Sequence, residues 1–144
     1  MPTHPGDVVF PGGHREDGED PIATALREAE EEISLERSRV HVLGRLGEYV
    51  SHSGFRIAPV VGVVEDVGTL VPREGEVEEI MSLPWTRAFD SSHYELRRHP
   101  DRPDGSVHGH YFLLCGDDSA VTGPTISILM GLYEALAEFA DQGE

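Results

Sequence analysis

The stretch GGHREDGEDPIATALREAEEEISL, residues 12 to 35, decides the fold. Asp20 followed by Pro21 reads as a helix start. An Asp side chain accepts a bond from an unpaired first-turn N–H, and proline suits the first helical position because its N–H would go unused there. From Ile22 to Ile33 the apolar residues recur with helical period, placing Ile22, Ala25, Leu26, Ala29 and Ile33 on one face. At about 100° per residue, Glu28, Glu31 and Glu32 fall on the opposite side within an arc of roughly 100°. The predicted element is an amphipathic helix with a carboxylate face. Pro11-Gly12-Gly13 ahead of it breaks regular structure, and a charged, glycine-containing loop runs on to Asp20.

Carboxylates at i, i+3 and i+4 repel one another and weaken a helix unless something offsets their charge. A hard divalent cation does so directly, because Mg²⁺ and Mn²⁺ prefer oxygen ligands and Mg²⁺ commonly shares its shell with substrate phosphates. A plain solvated acidic face is the competing reading, and spacing alone leaves both open.

Outward from the helix, Asp7–Phe10 is a short β-prone segment on the N-terminal side. On the other side come two β-rich segments, Val40–Val50 and Phe55–Glu65, the second reading FRIAPVVGVVE with the near-continuous apolar run of a buried strand. Glu74, Glu76, Glu78 and Glu79 crowd an acidic loop over residues 72–79. A strand is expected near Ile80–Leu83, a short helix start at Pro84-Trp85, and a strand pair at Tyr94–Arg97 and Val107–Cys115. Ile128, Leu129, Leu132, Leu136 and Phe139 mark a closing amphipathic helix over Pro124–Ala140. This order of elements predicts an α+β fold in one domain, residues 1–144, with helices flanking a mixed sheet.

Composition narrows the function. All 11 basic residues are arginine, which excludes Schiff-base chemistry and a P-loop lysine. A formal net charge of −16 disfavours nucleic acid as a partner, since its phosphates call for the opposite sign. No apolar run approaches the roughly 20 residues of a membrane helix. Met1–His4 has neither a basic nor an apolar leader region, and Cys115 as the sole cysteine precludes an internal disulfide, so a cytoplasmic location is expected.

The quoted stretch resembles the Nudix box, G-x5-E-x7-R-E-U-x-E-E-x-G-U with U a bulky aliphatic residue. Gly13, Glu19, Arg27-Glu28, Glu31-Glu32 and Leu35 fall on its fixed positions. Ala29 is small for its aliphatic position and Ser34 stands where the family has glycine; if that position needs a positive φ, serine costs about 1 kcal/mol. The resemblance implies a Nudix-type mixed β-sheet sandwiched between helices and metal-dependent hydrolysis of a nucleoside diphosphate derivative. It implies that Glu28, Glu31, Glu32 and the Gly13 carbonyl hold Mg²⁺ or Mn²⁺, and that Arg27 braces Glu19 and the helix carboxylates. Glu28, Glu31 and Arg27 would carry the catalysis, with Glu28 or an acid of the 72–79 loop as the base.

HPGDVVFPGG (residues 4 to 13), GFRIAPVVGVV and TGPTISILMGLYEAL are similar to segments of the coenzyme A pyrophosphatase branch of that family. The implied substrate is coenzyme A or a thioester of it, split into 3′,5′-ADP and a 4′-phosphopantetheine product. His4, Gly12, Gly13 and Arg56 are the implied substrate contacts. ADP-ribose or a nucleotide as substrate is the alternative within the class, and a non-catalytic binding module the alternative outside it. Members of the branch carry a strand ahead of the His-Pro-Gly motif, which begins at residue 4 here, so the first strand of the fold is expected to be missing. An unpaired sheet edge of that kind favours a homodimer, against a monomer with the edge under the terminal helix. Among the remaining residues, His108 and His110 are expected on a sheet surface and Trp85 in the core. Arg45, Arg56, Arg97 and Arg98 are open as phosphate partners.

Overall fold

Asp20 and Pro21 begin helix α1, Pro21–Ile33, in the computed structural model, which describes residues 8–51, 53–99, 108–114, 120–121 and 123–142. The Asp20 Oδ1 accepts from the Ala23 N–H at 2.8 Å, satisfying one of the donors a helix start leaves unpaired. At the other end Ser34 adopts φ 58° and ψ 30°, the left-handed conformation. This turn lets the N–H groups of Ser34 and Leu35 return to the carbonyls of Glu30 and Ala29. Position 34 therefore requires the positive φ that glycine adopts freely, and serine holds it under strain.

The chain divides into two compact units, one holding Phe10–Ser82 and the other Val8, Val9 and the residues from Leu83 onward. In the first unit, a 3₁₀ turn at Arg37–Arg39 leads from α1 to β1, His41–Arg45, which pairs antiparallel with β4, Val60–Val63. Between them β2, Tyr49–Val50, and β3, Arg56–Ile57, pair in a second short ladder closed by the turn at Ser51–Phe55. Each expected β segment is thus divided in two. Pro59 accounts for the break on one side, because it has no N–H to donate to a ladder; its carbonyl still accepts from the Leu46 N–H at 3.0 Å. The expectation of a buried strand over residues 55–65 is corrected. Val60 and Val61 are half-buried, whereas Phe55 and Val63 are exposed, as is Leu43 on β1. A sheet face is buried only where another layer packs on it, and a two-stranded ribbon offers little face to pack.

No strand forms at Ile80–Leu83. Leu83 instead packs against the core of the second unit, and Pro84 redirects the chain into α2, Trp85–Ala88. A three-stranded antiparallel sheet follows, of β5, Tyr94–His99, β6, His108–Leu114, and β7, Ala120–Val121. Its last strand was not anticipated from the pattern. Val8 bridges Val121 in parallel. Helix α3, Gly123–Gln142, buries Ile126 and Leu129 against Ala88 and Val121, with Val8, Leu83, Phe89, Tyr94 and Met130 packed around them. The second half of α3 departs from expectation, since Leu136 and Phe139 are exposed. Trp85 is also corrected from core to surface. Its side chain is 63% exposed and stacks on Phe89 at 4.6 Å, because the four-residue α2 turns Ala88 rather than Trp85 inward.

Helices with small antiparallel sheets make this the expected α+β chain. No helix among the described residues is long and apolar enough to cross a membrane. His4 and Cys115 lie outside the described residues, as do the side chains of Arg97, Arg98, His108 and His110; of the apolar stretch Val8–Phe10, one of the two on which self-association is expected, Val8 is half-buried and Val9 and Phe10 are exposed.

Candidate active site

Arg27, in the second turn of α1, organises the loop before the helix and the carboxylates along it. Its Nε donates to Glu19 Oε2 at 2.8 Å and Nη2 to Glu19 Oε1 at 3.0 Å, a two-pronged pair with well-matched geometry. Nη2 also donates to the His14 carbonyl at 2.9 Å. Nη1 donates to Glu28 Oε1 at 3.0 Å and to Glu31 Oε2 at 3.1 Å. All five guanidinium donors are committed, and the side chain is only 16% exposed. Glu16 adds a looser charge contact at 3.9 Å. The hydrogen bond from Arg27, followed by the Glu16 N–H, holds the Glu19 carboxyl down to about 2.

The carboxylate face of α1 is graded rather than uniformly solvated. Glu31 is exposed, Glu28 is half-buried, and Glu32 is buried at 8% exposure. The loop before the helix covers one side, with the Gly12 N–H donating to Glu32 Oε1 at 2.8 Å. Burial pushes the Glu32 carboxyl up from its ordinary value; the Gly12 bond opposes this, while the charges of Glu28 and Glu76 add to it. Buried Thr24 secures the same loop through its Oγ1, which donates toward the Asp20 carbonyl at 3.1 Å and lies 3.3 Å from Glu19 Oε1.

The acidic loop closes over the far end of the helix. Val71 donates its N–H to the Ile33 carbonyl at 3.0 Å, and Arg73 donates its own to the Glu32 carbonyl at 2.8 Å. From the loop glutamates, the charge of Glu76 acts on Glu32. Arg73 was not among the residues singled out from sequence. Its guanidinium lies 3.9 Å from Glu31 and 3.8 Å from Glu76. The signal that marks it is its position as the sole cation in a run of glutamates.

A cation would find only hard oxygen donors here. The Gly13 backbone runs so close to Glu28 that a Cβ at position 13 would meet the Glu28 carboxylate and force it to shift. Gly13 and the carboxylates of Glu28, Glu31 and Glu32 therefore fit Mg²⁺ or Mn²⁺ by donor chemistry. In the present arrangement Glu28 and Glu31 face Arg27 while Glu32 faces Gly12, and no three acidic, histidine or cysteine groups among the described residues form a ready cage.

Arg56 stands apart from this cluster. It is 4.0 Å from Glu48, to which Arg45 also reaches at 3.7 Å, and it points no donor at the helix carboxylates. Its neighbour Phe55 meets the His14 ring at 5.7 Å, so the β2–β3 turn does lie beside the loop that Arg27 holds.

Residues 2–107 match the NUDIX domain family. A Yersinia enterocolitica protein named "Uncharacterized Nudix hydrolase NudL" is 39% identical over 133 residues, covering 91% of this chain and 66% of that relative. Proteins of the same name from Yersinia pestis strain Pestoides F and Yersinia pseudotuberculosis are each 41% identical over 136 residues, or 93% of this chain and 66% of theirs. The chain spans just under two thirds of the length of these curated relatives.

Proposed function

Given that this chain belongs to the Nudix family, we propose that it is a pyrophosphohydrolase acting on coenzyme A or its thioesters with Mg²⁺ or Mn²⁺. The observation that carries the hydrolase reading is the set of helix and loop carboxylates gathered on the fully committed Arg27. A non-catalytic module has no chemical use for Glu28, Glu31 and Glu32 together. The family match crosses from the first compact unit into the second, which supports treating residues 1–144 as one functional domain.

In this reading Glu28, Glu31, Glu32 and the Gly13 carbonyl hold the cation. When bound, it neutralises the substrate phosphates, acidifies a water and stabilises the leaving phosphate. Arg27 fixes Glu28 and Glu31 on one side of the helix and offsets part of their mutual repulsion. Glu28, or Glu76 from the acidic loop, accepts the proton of the attacking water. The bond broken is the pyrophosphate anhydride, giving 3′,5′-ADP and 4′-phosphopantetheine. The substrate assignment is supported by the likeness of residues 4 to 13, 54 to 64 and 122 to 136 to the coenzyme A pyrophosphatase branch. His4, Gly12, Gly13 and Arg56 are its proposed contacts.

A product-resolved hydrolysis screen with each ion tests this. Coenzyme A should give the two named products, and the coenzyme lacking its 3′-phosphate should react more slowly. Turnover of ADP-ribose or nucleoside triphosphates alone would move the substrate; no turnover of any substrate with either ion would end the enzyme reading.

A further inference from the structure

An anionic substrate approaching this site meets Glu16, Glu19, Glu28, Glu31, Glu32 and Glu76, with Arg27 and Arg73, among the described residues, as the guanidinium groups in contact with them. Arg27 has no donor left to give. Arg73 differs in every respect that matters for binding a ligand. Its main chain is fixed: the N–H bonds the Glu32 carbonyl, and the carbonyl accepts from the N–H groups of Glu76 at 3.2 Å and Val77 at 2.9 Å. Its guanidinium is loose, 49% exposed, with both ion contacts beyond hydrogen-bond length. Glu31 Oε2 lies between the two arginines, 3.1 Å from Arg27 Nη1 and 3.9 Å from Arg73 Nη1.

We propose that Arg73 is a substrate-binding residue that grips the non-bridging oxygens of the pyrophosphate group beside Glu31. A planar fork matches two phosphate oxygens at once. The weak contacts to Glu31 and Glu76 keep the guanidinium over the carboxylates without saturating it, so little is lost when it turns to the ligand. The inference rests on the hydrolase reading for the identity of the anion.

Methylenediphosphonate, a pyrophosphate that cannot be hydrolysed, tests it by calorimetric titration in Mg²⁺ buffer, alongside coenzyme A kinetics. The wild type should bind the probe, and Arg73→Ala should bind it about tenfold or more weakly. Arg73→Lys, which keeps the charge and loses the fork, should fall between them. In turnover the Ala variant should raise KM by a similar factor, with kcat within about threefold. Equal affinity of wild type and Arg73→Ala, no binding of the probe by the wild type, or a fall in kcat at unchanged KM would each overturn the assignment. Absence of turnover by the wild type would instead fail the hydrolase reading, and the titration would still decide Arg73. The main-chain bonds survive truncation of the side chain, and thermal melts check this. Should Arg73→Ala melt early, unchanged probe affinity in Arg73→Lys and Arg73→Gln would overturn the proposal.

Discussion

Helix α1 with its preceding loop and the β1–β4 ribbon belong to the same compact unit and are held in opposite ways. Around α1 the order comes from charged hydrogen bonds: one guanidinium spends five donors on three carboxylates and a carbonyl. Along the ribbon and the β2–β3 ladder it comes from backbone pairing, leaving Leu43, Val50, Phe55 and Val63 exposed. Tolerance to mutation should follow the difference. A side chain in the polar network shares partners with its neighbours, so its loss propagates, whereas an exposed ribbon side chain has little to lose.

The sharpest break is chemical. Glu31→Gln keeps the shape of the side chain and removes a charge proposed to hold the cation, so kcat/KM should fall by about a hundredfold or more while the circular dichroism spectrum is unchanged. Full turnover by this variant, or by wild type in excess chelator, would defeat the metal-hydrolase reading.

Next in size is Arg27→Ala, which takes from Glu19, Glu28 and Glu31 the guanidinium they share. It should lower Tm by several degrees, and Arg27→Lys should recover only part of the loss because an ammonium cannot meet Glu19 with two parallel bonds. Acid titration sharpens the same point. The Glu19 carboxyl is held at about 2, below its ordinary value of 4.5, so its contribution is fully present above about pH 4.5 and is lost as pH falls through about 2. Melts between pH 5 and pH 2 should show this loss in wild type and a smaller one in Arg27→Ala, where the Glu16 N–H still holds Glu19.

Glu32 should respond with the opposite sign. Its pKa is raised, so ionisation is costlier in the folded chain, and stability from this group grows as pH falls through its folded pKa. Glu32→Gln should therefore raise the Tm of the metal-free protein at neutral pH while lowering activity. A destabilised Glu32→Gln would contradict that account.

Smaller still is Ser34→Gly. Relief of the left-handed strain should add about 1 kcal/mol, reduced by loss of the 3.4 Å contact from Ser34 Oγ to the Val71 carbonyl. Denaturant unfolding measures the balance. Smallest is Val63→Thr on the exposed ribbon, expected within about 0.5 kcal/mol of wild type; a loss of several times that would show that this face has cover the comparison omits.

Local chemistry determined the parts that sequence alone makes legible. Asp20-Pro21 sets the start of α1, apolar period sets its length, and serine at a position that wants glycine announces the left-handed end. The box spacing placed Glu19, Arg27, Glu28, Glu31 and Glu32 in one stretch, because residues within one helix and its adjoining loop are neighbours by geometry. Tertiary structure decided what local rules do not reach. Glu32 became buried because Gly12, twenty residues earlier, folds back onto it. Arg73 arrived beside Glu31 because its main chain caps a helix forty residues away. The long apolar run at Phe55–Glu65 stayed partly exposed because burial depends on what packs against a strand, which its own sequence does not specify.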